Sequence, residues 1–145
     1  MSDFRRKTKA GRHGTDPVYL AGGTDTLTAN TTTVQVLGAA PTRAVITKVS
    51  ASQHVLVADS DGTVLATLKK WDASASADVT LSAALDLEAM TAKVASPFAL
   101  IATLTDDQRI LDTGDTLRVD IVNNSAAINT QPTGLRFVAE LLVLE

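Results

Sequence analysis

Residues Thr116–Val122 read TLRVDIV, with Leu117, Val119 and Ile121 on one side of an extended chain and Arg118 and Asp120 on the other. An apolar period of two is satisfied by a β-strand with one buried face, because successive strand side chains point to opposite faces. The period recurs in Thr32–Leu37, with Val34 and Val36 on one side. It recurs again in Arg43–Ser52, with Val45, Thr47 and Val49 on one side and Ala44, Ile46 and Lys48 on the other. Gly134–Leu144 closes the chain in the same extended manner, and Phe98–Leu104 is a continuous apolar run of strand length. Turn clusters stand between these runs: Gly38–Pro41, Thr105–Gln108 and Thr113-Gly114-Asp115. His54–Ala58 and Thr63–Lys69 flank Asp59-Ser60-Asp61-Gly62, and two β-rich runs joined by a short Asp-Gly loop predict a hairpin.

The remaining segments fill in the same picture. Ala21-Gly22-Gly23-Thr24-Asp25, Trp71–Asp78 and the eleven residues Asn123–Thr133 read as loops. Val79–Leu81 and Arg109–Asp112 read as short extended pieces. Leu85–Ala95 is the one candidate helix, with Leu85, Glu88 and Ala92 at helical spacing; it also reads as a loop with a short strand, and Pro97 ends it. Roughly eight strands separated by turns predict an all-β, antiparallel, jelly-roll-like β-sandwich. The absence of strand–helix alternation argues against a doubly wound nucleotide-binding fold.

Charge divides the chain in two. Residues 1–14 hold Arg5, Arg6, Lys7, Lys9 and Arg12 against Asp3 alone, +4; the rest holds eight basic and 15 acidic side chains, −7, giving the net −3. The basic head has no apolar periodicity, so residues 1–25 are expected to form an arm and linker, with the sandwich over 26–145. The five basic residues are the candidate partner-binding set, directed at acidic groups of another protein. An acidic body repels phosphates, and five aromatics in the whole chain are too few for a base-stacking platform, so nucleic acid is not the expected partner. The positive start lacks an apolar stretch behind it, unlike a secretory leader, and no run approaches the length of a membrane span; a soluble chain is expected.

Candidate chemistry fails residue by residue. There is no cysteine, and His13 and His54 are the only histidines, so neither a thiolate nor a multi-histidine metal site is available within one chain. Asp112-Thr113-Gly114 matches the signature of retroviral-type aspartic proteases, but only 31 residues follow it, without a Gly-rich flap, and Asp115 adds a like charge beside it. A tight turn entering the strand at 116 is the better reading. Asp59-Ser60-Asp61-Gly62 opens like a calcium loop, but strand residues follow where further oxygen ligands belong. Asp106, Asp107, Asp112 and Asp115 are read as turn carboxylates. His54 has no serine elbow to serve, and Gly22-Gly23-Thr24 lacks the lysine of a phosphate loop. Trp71 and Phe98 read as core or loop anchors. No catalytic, cofactor or metal residue is assigned, and a non-enzymatic protein is expected.

Three features together resemble the small β-sandwich structural proteins of tailed bacteriophage virions, particularly capsid decoration (cement) proteins. They are the arm Met1–Asp16 before an all-β body, the Thr/Ala/Val-rich strands without cysteine, and Asp112-Thr113-Gly114-Asp115-Thr116-Leu117-Arg118-Val119 before the closing strand. The resemblance implies a virion protein assembled in the bacterial cytoplasm. It further implies docking on the major capsid protein or another virion protein through the arm and oligomeric contacts, with a trimer favoured. Leu141–Leu144 and the alternate face of Phe98–Leu104 would then be subunit contacts. A tail, connector or fibre-associated module, or a carbohydrate-binding sandwich, are the alternatives.

Overall fold

The computed structural model describes residues 17–59 and 61–144. In chain order the elements are β1 (Pro17–Thr24), β2 (Thr31–Ala39), β3 (Ala44–Ser52), β4 (Ala58–Asp59), β5 (Val64–Asp72), β6 (Ala77–Thr80), β7 (Leu85–Asp86) and β8 (Ser96–Pro97). A four-residue helix α1 (Asp106–Arg109) precedes β9 (Ile110–Leu111), β10 (Thr116–Asn123), β11 (Ile128–Thr130) and β12 (Leu135–Val143). The chain is an all-β, antiparallel β-sandwich. One sheet runs β1-β12-β3, with β8 and β9 pairing two separate stretches of the outer edge of β3. The other runs β2-β10-β5, with β6 and β7 pairing two stretches of the outer edge of β5. Counting each interrupted edge once gives four positions per sheet; β4 and β11 form a separate ribbon.

The core follows from the alternation. Leu117, Val119 and Ile121 of β10 and Leu135, Phe137, Ala139 and Leu141 of β12 are fully buried. Phe137 meets Phe98 with ring centroids 6.1 Å apart and planes tilted by 52°, a favourable aromatic geometry. Residues 98–101 lace the flank between the sheets: Phe98 N–H donates to Val49 O of the first sheet, and Ile101 N–H to Leu81 O of the second. Phe98–Leu104, expected as a strand, is therefore irregular; its backbone is shared between two sheet edges instead of forming one ladder.

Other expectations are corrected by tertiary pairing. Ala21–Thr24, read as loop, lies in β1, paired residue for residue with β12 from Pro17↔Leu142 to Thr24↔Leu135. Gly23 is needed there, because a Cβ would stand 2.0 Å from Leu135 O. The hairpin across Asp59–Gly62 does not form: β4 pairs β11, whereas β5 enters the second sheet between β10 and β6. Gly62 adopts φ +75°, and Thr63 N–H donates to Asn124 Oδ1 at 2.6 Å, so the loop is held by the 123–125 segment. That segment begins the stretch expected to be wholly loop, which instead contains β11.

Leu85–Ala95 is not a helix. It holds β7 and one 3-10 turn, Leu87–Ala89, whose start is capped by Asp86 accepting from Glu88 N–H. The reason is burial: one turn suffices to place Leu87 and Met90 inside, and Lys93 at φ +66° redirects the chain. Trp71–Asp78 is loop only at its centre, since β5 runs through Asp72 and β6 starts at Ala77. In β3 the alternation breaks at a bulge, where Glu140 and Leu141 face Lys48 and Ile46. The extra residue, Thr47, bonds Glu140 O at 2.9 Å, and Ile46 and Val49 both turn inward.

Candidate functional site

The outward face of the second sheet carries the most organised surface chemistry in the described residues. Registers align Val36, Arg118, Lys69 and Thr80 in one row across β2, β10, β5 and β6, and Val34, Asp120 and Thr67 in the next. Thr32, Val122, Leu65 and Asp86 make a third row, and Thr116, Trp71 and Asp78 lie at the far end. Arg118 is the centre. Its Nε and Nη2 donate to Asp120 at 2.9 and 3.3 Å, and its Nη1 and Nη2 donate to Asp78 at 2.6 and 3.0 Å. Lys69 Nζ lies 3.3 Å from Asp120 Oδ2. Two cations and two carboxylates cancel.

Asp120 is only 7% exposed although it points outward, because neighbouring stems cover it. Burial alone would push its carboxyl up; hydrogen bonds from Arg118 and Lys69 outweigh that and hold it below the ordinary value. Arg118 likewise holds Asp78 down by direct hydrogen bonding, and the two carboxylates raise Arg118 in return, Asp78 foremost. Depressed carboxyls stabilise the fold above their unfolded value and lose that contribution as pH falls through their folded values. Stability to urea is therefore expected to decline below about pH 4, and Asp120→Asn is expected to flatten that decline in a titration of denaturation midpoints.

Around the neutral centre stand exposed apolar side chains. Val34 and Val36 are 51% and 58% exposed, and Val122 and Trp71 are also exposed. Four of the five guanidinium N–H groups of Arg118 are taken up by the two carboxylates, which leaves one. What the arrangement does offer is a charge-compensated surface with exposed apolar groups, and with Arg and Trp, residue types enriched at binding hot spots.

The sequence candidates fall elsewhere. Arg5, Arg6, Lys7, Lys9, Arg12 and His13 lie outside the described residues. Asp112-Thr113-Gly114 is a turn: Asp112 is exposed and paired with Arg43 at 3.0 Å, and Gly114 sits at φ +96°. Asp115 is buried and accepts from Ala73 N–H and Asp112 N–H, which occupies it structurally. Lys70, buried on the inner face of β5, donates to the Asp107 and Ile110 carbonyls at 3.2 and 2.9 Å and ties α1 to the sheet. His54 is exposed, with its backbone bonded to Thr133. Phe98 is a core anchor, whereas Trp71 belongs to the outward face.

Asp59 N–H donates to Glu88 Oε2 at 3.0 Å, and Ser125 hydroxyl donates to Asp59. Burial foremost, then the Asp59 charge, raises the Glu88 carboxyl, while the Asp59 N–H bond opposes that. A raised carboxyl destabilises the fold when ionised, so Glu88→Gln is expected to unfold at slightly higher denaturant than the parent at pH 7, the gap closing towards pH 4. Among the described residues no cluster of three metal-ligating side chains occurs, and no helix is long and apolar enough to cross a membrane.

Sequence reasoning placed Arg118 and Asp120 on one face, opposite Leu117, Val119 and Ile121, but did not join to them the Lys69 and Asp78 that complete their network. The available signal was the Arg-x-Asp spacing within a strand. Comparison with protein-family models, with curated proteins and with solved structures finds no match for the chain.

Proposed function

We propose that this chain is a non-enzymatic structural protein of a phage particle, a jelly-roll module that binds and stabilises the capsid surface. The observation that carries the reading is the outward face of the second sheet, with Val34, Val36, Val122 and Trp71 exposed around the neutral Arg118–Asp120–Asp78–Lys69 network. Such a face suits protein contact and offers no chemistry to a substrate. The strand order β1-β12-β3-β8 against β2-β10-β5-β6, in which β1, β2, β3 and β5 alternate between the sheets, supports the jelly-roll reading. Four strands at about 4.8 Å spacing and some seven residues at about 3.3 Å give roughly 450 Å² per partner, well below the ~800 Å² of a standard interface. Single contacts of that size are weak. They become useful when many copies engage a repeating surface at once.

The test is cosedimentation of the full chain with capsids from its own phage. Val34→Glu/Val36→Glu is expected to leave unfolding stability within about 0.5 kcal/mol of the parent and to weaken capsid binding by about tenfold or more. Undiminished binding by the double variant overturns the reading. Particle copy number then separates capsid from tail: hundreds per particle for the former, about a dozen or fewer for a tail ring, in line with the symmetry of each assembly.

A further inference from the structure

We propose that the open cleft at the outer edge of β3 binds a free α-amino acid with an apolar side chain. The proposal is independent of any virion role. The cleft exists because the ladder along that edge is incomplete: β9 pairs Ala44 and Val45, β8 pairs Ser50 and Ala51, and the residues between have no strand partner on that side. With α1 beside the gap, a space of ≈490 Å³ results, within the roughly 300–1,000 Å³ of small-molecule sites. Val45, Ile46, Ile110 and Leu144 make its apolar walls, and Asp106 and Arg109 of α1 supply its charges.

Neither charge has a partner among the described residues. Arg109 forms no side-chain hydrogen bond and no ion pair there, although Asp106 stands one helical turn away on the same side of α1. Its Nε is sealed from water without an acceptor, whereas Nη1 and Nη2 stay open to solvent. Asp106 is exposed and likewise makes no ion pair. A carboxylate is the acceptor that a guanidinium takes best, and an ammonium is the donor that a free carboxylate takes. A ligand that carries both groups on one carbon meets Arg109 and Asp106 together.

The surroundings set the orientation. Lys70 is buried beneath α1, donates to the Asp107 and Ile110 carbonyls, and has no carboxylate within ion-pair distance among the described residues. The inner side of the cleft is therefore positive, and Asp106 is on the solvent side. The carboxylate goes inward to Arg109, the ammonium outward to Asp106, and the side chain lies along the apolar walls. A simple acid would leave Asp106 opposing it, and a simple amine would face two cations. The site is also held in shape before binding. The Thr105–Gln108 capping box fixes the start of α1, and Lys70 ties its end to β5, so little ordering is left for the ligand to impose.

The probe is L-leucine, titrated into the full chain by calorimetry. Saturable binding with a Kd of about 1 mM or tighter is expected. Isocaproate lacks the ammonium, isoamylamine lacks the carboxylate, and glycine lacks the apolar body; each is expected to bind at least about tenfold more weakly. Arg109→Gln and Asp106→Asn remove no ion pair among the described residues, so both are expected to melt with the parent and to weaken leucine binding about tenfold or more. Amide chemical shifts of the parent chain give a second readout that needs no variant. Leucine is expected to move Ile46, Thr47, Arg109 and Ile110 and to leave Val34 and Val36 in place. Absence of saturation at about 10 mM leucine overturns the proposal. So do equal affinities for isocaproate or isoamylamine, undiminished binding by both variants, and shifts confined to the Val34 and Val36 face. None of these outcomes bears on capsid binding, which the Val34→Glu/Val36→Glu variant tests.

Discussion

Phe137→Ala is expected to melt about 12 °C below the parent, a loss of about 4 kcal/mol at roughly 3 °C per kcal/mol for a chain of this size. Phe137 is fully buried on β12, an inner strand of its sheet, and its ring centroid lies 6.1 Å from that of Phe98. Truncation removes apolar burial and an aromatic contact, and it leaves a void between layers that the rigid ladders on both sides of β12 cannot collapse. Phe98 depends on the same contact, and Phe98 anchors the segment that laces the two sheets together. Phe137→Leu keeps most of the volume and is expected to cost less than about 1.5 kcal/mol. Thermal unfolding followed by circular dichroism reads both. A loss below about 1 kcal/mol for the alanine variant would place the stabilising core elsewhere.

Arg118→Met is the second large effect, with an expected loss of about 2–3 kcal/mol. The substitution preserves an unbranched stem on the sheet but removes four hydrogen bonds to Asp120 and Asp78. Asp78 is partly exposed and can turn to water. Asp120 cannot, and it keeps only Lys69. With its main partner gone, burial dominates and the Asp120 carboxyl moves up from its depressed value. An ionised group with a raised value opposes folding at neutral pH and ceases to do so as it protonates, so the deficit of the variant is expected to shrink as pH falls towards 4. Arg118→Met/Asp120→Val removes the stranded charge along with its partner and is expected to return to within about 1 kcal/mol of the parent. Urea denaturation of the two variants at pH 7 and pH 4.5 measures all of these. No recovery in the double variant would show that the arginine stem, and not the charge pair, is what the sheet needs.

The strands whose reading from sequence carried over most fully have partners on both sides in the sheet. Thr116–Val122 and Gly134–Leu144 became the inner strands β10 and β12, and Leu117, Val119 and Ile121 share the core-facing side as read. A central strand buries one face along its whole length, so the buried set imprints itself on every second residue. Edges leave a weaker imprint. Thr32–Leu37 shows a clear alternation, yet Val34 and Val36 face solvent, because a period of two states that two faces differ without stating which one is covered. At Thr47 a single bulged residue inverted the phase of the remaining strand. Phe98–Leu104 has strand composition but bonds to two different sheets.

The surface network was half visible for the same reason. Arg118 and Asp120 are two residues apart on one strand and must share a face. Lys69 and Asp78 join them only through the registers of β10 with β5 and β5 with β6.

Local covalent sequence thus determined the all-β class, the alternation of β10, the turn at Asp112–Asp115 and the shared face of Arg118 and Asp120. These depend on the two-residue period and on turn preferences, which act over a few bonds. Tertiary structure alone decided that Val34 and Val36 would be exposed, that the Asp59–Gly62 loop would join two different sheets instead of a hairpin, and that four charges would meet around Arg118. Those outcomes hang on register between strands far apart in the chain, and register is set by the packing of all layers together.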